Sequence, residues 1–188
     1  MSFDTQHINQ QRINLDGMDD IWVFGYGSLI YKVDFDYFES AYGFIQGYCR
    51  RFWQGSHDHR GTPENPGRVL TLIASPDEPC FGRAFRVDKS VFEHLDHREK
   101  NGYLRELTTI ELPDRTVEGI VYIANRDNAA FLGDAPIGEI GKQIAESRGP
   151  SGFNKDYVFE LADALRLHNQ HDPHVFSVEA AVKSALPS

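Results

Sequence analysis

Apolar residues recur along this chain with two spacings, short runs and alternations first and helical periods later. Ile21-Trp22-Val23-Phe24 is a continuous apolar run ended by Gly25, the pattern of a buried strand. Further strands are predicted at 44–53, 69–74, 81–87, 103–112 and 117–124. Pro113-Asp114-Arg115 between the last two is turn chemistry and predicts a hairpin. Ser90-Val91-Phe92-Glu93 has the form of a capping box opening a helix that runs to about Lys100 and stops near Gly102. A second helix is predicted over about 138–148, with Gly149 and Pro150 as its stop. A third starts with Asn154 as N-cap and repeats apolar residues at Tyr157, Leu161, Ala164 and Leu165. A short last helix is predicted at about 175–185. Strands early and helices late predict an α+β fold with a small, mostly antiparallel, barrel-like sheet and flanking helices.

Residues 1–20 carry neither period and are expected to form a disordered or loosely attached leader, with a single domain over 21–188. The leader is polar and has no apolar core before a small-residue cleavage site, so it is not read as a secretory signal. No apolar run approaches the ~20 residues that span a bilayer, and the expected location is the cytoplasm. With 40% hydrophobic and 25% charged residues the composition is that of a globular chain. A net charge of −9 argues against nucleic acid or an anionic membrane as partner. An anionic small molecule would need local cations or backbone N–H groups to hold it.

Two cysteines, Cys49 and Cys80, are too few for a disulfide framework and read as small buried hydrophobes. The histidine pairs His57/His59, His94/His97 and His171/His174 have no third ligand fixed by spacing, so no metal is expected. Arg50-Arg51 ahead of Phe52-Trp53 reads as a strand with one Arg facing inward to a ligand or carboxylate. The connection 55–67, rich in His, Asp, Gly and Pro, is long enough to be functional or disordered.

Two features carry candidate chemistry. In Gly25-Tyr26-Gly27-Ser28-Leu29 the glycines permit a sharp turn and close backbone approach to a ligand, and N–H groups in such a loop bind a carboxylate or an oxyanion. The loop lacks the Lys of a phosphate-binding loop and is not a G-x-S-x-G nucleophile elbow; a plain tight turn has the same residues. Phe92, Leu95 and Glu99 share one helix face at i, i+3 and i+7, so the inward stripe ends in a carboxylate. Partial burial would raise its pKa toward the range useful for proton transfer. Spacing leaves a second reading open, a solvated Glu99 paired with Arg98 or Lys100.

In order along the chain stand Trp22-Val23-Phe24-Gly25-Tyr26-Gly27-Ser28-Leu29-Ile30, Arg50-Arg51-Phe52-Trp53-Gln54-Gly55-Ser56, Asp58-His59-Arg60-Gly61 and Pro66-Gly67-Arg68. Arg98-Glu99-Lys100, Gly102-Tyr103, Gly149-Pro150-Ser151-Gly152, Asn154 and Tyr157 follow. This ordered set resembles the ChaC family of glutathione-directed γ-glutamylcyclotransferases over roughly 22–178. Tyr31 stands where that family often has Trp, and Asn101 where it often has Gly. The resemblance implies the γ-glutamylcyclotransferase-like fold and a lyase reaction without metal or cofactor. The α-amine of a γ-glutamyl group attacks its own γ-carbonyl, giving 5-oxoproline and releasing cysteinylglycine from glutathione. It implies Glu99 as the catalytic acid–base residue. Val23, Phe24, Gly25, Tyr26, Gly27, Ser28 and Leu29 are implied as the substrate loop, with Tyr103 and Tyr157 as lining residues. Two alternatives share these residues: a cyclotransferase for other γ-glutamyl dipeptides or amines, and a non-catalytic γ-glutamyl-binding regulator.

Overall fold

The apolar run at 21–24 forms strand β1 (Asp20–Gly25), buried at every position after Asp20. It belongs to a closed five-stranded barrel with β2 (Glu39–Ser56), β3 (Gly67–Asp88), β4 (Tyr103–Glu111) and β5 (Thr116–Ala124), ordered β1-β3-β2-β4-β5. The computed structural model describes residues 3–188. β1 pairs antiparallel with β3 and parallel with β5, Val23 lying opposite Phe85 and Ile120. β4 and β5 form the expected hairpin, closed where the Leu112 N–H donates to Arg115 O at 2.8 Å. The α+β, mostly antiparallel barrel expected from the pattern is therefore the fold observed.

The chain divides into two compact units: the chain to Cys49 with Leu72–Ala129, and Arg50–Thr71 with Ala130–Ser188. A single domain over 21–188 is the expectation from sequence; the division falls inside β2 and β3, which run through it without a break, so no linker composition marks it. The first unit holds α1 (Gln6–Arg12) and α2 (Val91–Arg98). The second holds α3 (Ile137–Glu146), α4 (Asn154–Leu167), α5 (Pro173–Ala185) and a small ribbon of β6 (Arg148–Gly149) and β7 (Gly152–Phe153).

Several local expectations are corrected. The runs at 69–74 and 81–87 belong to one strand. The break read between them is an exposed stretch in which Pro76 and Pro79 flank Asp77, whose φ is 66°; proline is tolerated in a strand where its missing N–H would face solvent. The Ser90 capping box does not form: Ser90 makes no side-chain cap and its own N–H donates to Asp88 Oδ1 at 2.8 Å. Asn154 is the first helical residue rather than the N-cap, its side chain being used elsewhere. α5 begins two residues before expectation because Pro173 takes the first helical position and Asp172 caps it, accepting from Val175 N–H at 3.1 Å.

The leader departs furthest from expectation. Within it α1 is formed, Thr5 and Asn9 are buried, and the Asn9 amide bonds β4 on both sides, to Tyr103 O and from Arg105 N–H, each at 2.9 Å. Polar composition concealed this, because the contacts are made by hydrogen bonds to a strand edge rather than by an apolar stripe. Met1 and Ser2 lie outside the described residues. Among the described residues no helix is long and apolar enough to cross a membrane.

Candidate active site

The glycine loop leaves the barrel at the end of β1 and tightens into a 3-10 turn, Ser28–Ile30. Gly25 is required there: a Cβ would stand 2.3 Å from Leu29 Cβ, so a side chain would force the turn open. Val23 and Phe24 are buried on opposite faces of β1, and the side chains of Tyr26 and Leu29 just beyond it are buried too. The Tyr26 hydroxyl donates to Tyr122 O at 2.7 Å. Of the seven loop residues implied as substrate-binding, the first two thus serve as anchor, while Gly25 through Ser28 form the turn itself.

α2 carries the second feature. Phe92 and Leu95 are buried as its period predicts, but the helix closes at Arg98 and Glu99 is its C-cap, with Glu99 N–H donating to Leu95 O at 2.8 Å. The Glu99 side chain is 23% exposed, between the two environments the sequence left open. Arg98 joins it to the loop. Its guanidinium lies 3.5 Å from Glu99 Oε1, donates to Ser28 Oγ at 2.7 Å and donates to Asp34 Oδ1 at 2.7 Å. Burial pushes the Asp34 carboxyl up, but Arg98 and then His94 outweigh it and hold it below its ordinary value. Arg98 therefore has two carboxylate neighbours, Asp34 and Glu99, with Asp34 the nearer. Tyr103 opens β4 just beyond, its N–H donating to Glu99 O at 3.3 Å.

Beneath these residues lies a buried network that periodicity did not single out. Asp96 is fully buried and accepts from Nε and Nη2 of Arg105, at 2.9 and 2.6 Å. The Tyr122 hydroxyl donates to Asp96 Oδ1 at 2.7 Å, and burial first, then the Asp96 carboxylate, raise its pKa so that it stays protonated. A signal was available, since Asp96 lies at i+4 from Phe92 on the same inward stripe, where a carboxylate needs a partner. Tyr122 thus ties Asp96 on α2 to Tyr26 in the loop, through its hydroxyl and its backbone carbonyl.

In the second unit Tyr157 is buried on α4, edge-on to Phe52 at 6.0 Å and under the Arg60 guanidinium at 5.8 Å. Arg50 faces inward onto a carboxylate, Asp172, at 3.1 Å. Around them the remaining shared segments form a backbone knot. The Asn154 side chain accepts from Arg68 N–H and donates to Arg68 O, both at 2.8 Å. A Cβ on Gly149 would fall 2.3 Å from His59 O, and Ser151 N–H donates to that same carbonyl at 2.9 Å. Arg68 is buried and spends its guanidinium on Gln143, Phe52 O and Gly133 O at 2.7, 2.9 and 2.9 Å. The 55–67 connection is therefore a braced loop. Cys80 is buried as expected and Cys49 is half-buried. Among the described residues no three His, Cys, Asp or Glu side chains converge as a metal site would require.

Comparison with known proteins agrees with this architecture. A crystal structure described as the γ-glutamyl cyclotransferase specific to glutathione from yeast superposes with a TM-score of 0.81 at 32% identity, covering 89% of this chain and 97% of its own. The fold is that of a γ-glutamylcyclotransferase. Glutathione-specific γ-glutamylcyclotransferase 1 of Danio rerio is 43% identical, over 90% of this chain and 92% of its own. γ-Glutamylcyclotransferase 2-3 of Arabidopsis thaliana is 45% identical, over 88% and 90%. Residues 21–185 match the ChaC-like protein family, and the chain belongs to it.

Proposed function

We infer that this chain is a γ-glutamylcyclotransferase that degrades glutathione, and that Glu99 is its acid–base group. The observation that carries the assignment is the Arg98 bridge: one guanidinium holds the Glu99 carboxylate and the Ser28 hydroxyl of the glycine turn, in a chain of this family. The turn that Val23 and Phe24 anchor, residues 25–29, receives the γ-glutamyl end, with N–H groups for the α-carboxylate and for the oxyanion that develops on the γ-carbonyl. Glu99 takes a proton from the α-amine as the nitrogen attacks the γ-carbon. The new C–N bond closes the 5-oxoproline ring, the old C–N bond breaks, and the same proton passes to the departing nitrogen of cysteinylglycine. No water is consumed. Because the attack is intramolecular, holding the γ-glutamyl chain folded supplies much of the rate.

Tyr26 is proposed to line the site with its ring, its hydroxyl proton being donated to Tyr122 O. Tyr103 and Tyr157 are proposed as further lining. For the glycine carboxylate of glutathione, Arg60 is a better candidate than Arg68. Arg68 spends its guanidinium on three protein oxygens, whereas Arg60 gives one arm to Phe153 O at 3.1 Å. A charge-assisted pair there would contribute ~1.5–3 kcal/mol.

Incubation with glutathione is expected to yield 5-oxoproline and cysteinylglycine in equal amounts, with kcat/KM well above that for γ-glutamyl-alanine or for glutathione amidated at its glycine. Failure to form 5-oxoproline overturns the assignment. Equal kcat/KM for the three compounds removes the glutathione preference and leaves the cyclisation chemistry.

A further inference from the structure

Immediately after Glu99 the chain makes a tight turn. Gly102 N–H donates to Lys100 O at 2.9 Å with φ of 95° at Gly102, and β4 begins at Tyr103. On one side Tyr103, Leu104 and Arg105 are registered against Ala124, Ile123 and Tyr122 of β5. On the other side the leader takes the strand's hydrogen bonds. The Asn9 amide fills two ladder positions, donating to Tyr103 O and accepting from Arg105 N–H, and Arg12 Nε donates to Arg105 O at 2.8 Å. Thr5 meets the turn itself: its N–H donates to Lys100 O at 2.7 Å and its hydroxyl donates to Tyr103 O at 2.7 Å. That hydroxyl also stands 3.0 Å from Lys100 O and 3.5 Å from Glu99 O. Three carbonyls, those of Glu99, Lys100 and Tyr103, thus converge on one threonine. Asp4 extends the contact by a bridge to Asn101.

A loose leader would not be built this way. Asn9 is fully buried and Thr5 is 9% exposed, although every group they satisfy is polar. Removing the Asn9 side chain leaves the buried Arg105 N–H without its partner, at the cost of desolvating it, and removing the Thr5 hydroxyl takes one of the two donors from Tyr103 O. The segment so held carries the proposed acid–base group at its start. The ChaC-like match begins at residue 21, so the clamp lies wholly outside the part of the chain that the family defines.

We propose that residues 4–12 belong to the catalytic scaffold of this chain, with Thr5 and Asn9 as positioning residues that set where the Glu99 carboxylate stands. The proposal rests on the assignment of Glu99 as acid–base group. Displacement of a catalytic group by about 1 Å costs up to ~10²-fold in rate, so a clamp three hydrogen bonds deep is read in kcat rather than in KM.

The test uses the full chain with glutathione, comparing Thr5→Val, Thr5→Ser and Asn9→Ala with the wild type and with Glu99→Gln. Thr5→Val and Asn9→Ala are expected to lower kcat by between about ten- and a hundredfold with KM within about twofold. Thr5→Ser, which keeps the hydroxyl, restores most of the loss; a purely structural role would instead lower the fraction folded and leave the kcat of the folded protein alone. Wild-type kcat in both variants, with Glu99→Gln inactive, overturns the clamp and leaves the Glu99 assignment standing. An active Glu99→Gln removes that assignment, and the clamp's role falls with it. Where Asn9→Ala does not fold, Arg12→Ala carries the test, since it loses the bond to Arg105 O together with an exposed ion pair to Glu106. A two- to fivefold loss of kcat is expected, about what one such bond supplies, and an unchanged value overturns the proposal.

Discussion

The segments that carry the family resemblance, with the residues packed on them, are used in opposite ways by the two units. In the first, side chains do the connecting: Arg98 reaches Ser28, Asp34 and Glu99, and Asp96 reaches Arg105 and Tyr122. In the second, the same class of motif is spent on backbone. Gly149 exists so that His59 O can approach, and Asn154 closes both hydrogen-bonding groups of Arg68. A motif shared along a family is therefore no guide, taken alone, to which residues face a substrate. Charged side chains that end on one another around a turn point to chemistry. Glycines that would collide if they carried a Cβ point to packing.

The largest effect tests the chemical side of that contrast. Glu99→Gln retains shape and can still accept from Arg98, but it cannot carry a proton. Turnover of glutathione is expected to fall by ~10²–10⁴-fold, the usual worth of a general acid–base group. The thermal midpoint should hardly move. A variant that stays active, or one that is inactive only because it unfolds, would place Glu99 with the packing residues and break the contrast.

Asn154→Ala tests the other side. It leaves the buried N–H and C=O of Arg68 unsatisfied, costing roughly 2–4 kcal/mol, with a fall in Tm on the order of 10 °C. What remains folded should turn over at close to the native kcat. A variant with native Tm and lost kcat would show that the second unit's motif serves the reaction directly.

The smallest expected effect concerns pH and again belongs to the second unit. His174 accepts the Phe52 N–H at 3.0 Å, which requires a neutral imidazole. Burial first, and then the Arg51 guanidinium, lower its pKa from 6.5 to about 4, against the opposing pull of Asp172 and Asp134. The unfolded chain binds a proton below about 6.5 that the folded chain refuses until about 4, so stability is lost as pH falls through that window. The loss is on the order of 2 kcal/mol, discounted for partial exposure. Denaturant unfolding at pH 7 and pH 4.5 measures it, and in His174→Gln that part of the dependence should vanish. An unchanged dependence would mean that the carboxylates account for it all.

Much of this fold is legible in the sequence. Period-two and continuous apolar runs gave the strands, turn residues gave the β4–β5 hairpin, and the order of elements gave the α+β barrel, because burial of one face leaves its spacing in the sequence. Gly25 was legible as a turn for the same kind of reason, since only one residue type fits. The role of Asn154 was misread, because an Asn before an apolar period looks like a helix cap whether its amide turns toward its own helix or toward Arg68. The capping box at Ser90 failed likewise, where Asp88 took the N–H first.

What the sequence determined alone was the set of elements, the net acidic charge and a carboxylate where the inward stripe of α2 runs out. Those follow from composition and from spacings of a few residues. Tertiary structure decided which polar groups meet across long separations: Arg98 with Ser28, Asp96 with Arg105 and Tyr122, Asn9 with the open edge of β4. Hydrophobic burial repeats and so leaves a period, whereas a hydrogen bond between residues 94 positions apart, as from Asn9 to Tyr103, leaves none. For that reason the leader looked detached in sequence, and the folded chain holds it against the segment that carries Glu99.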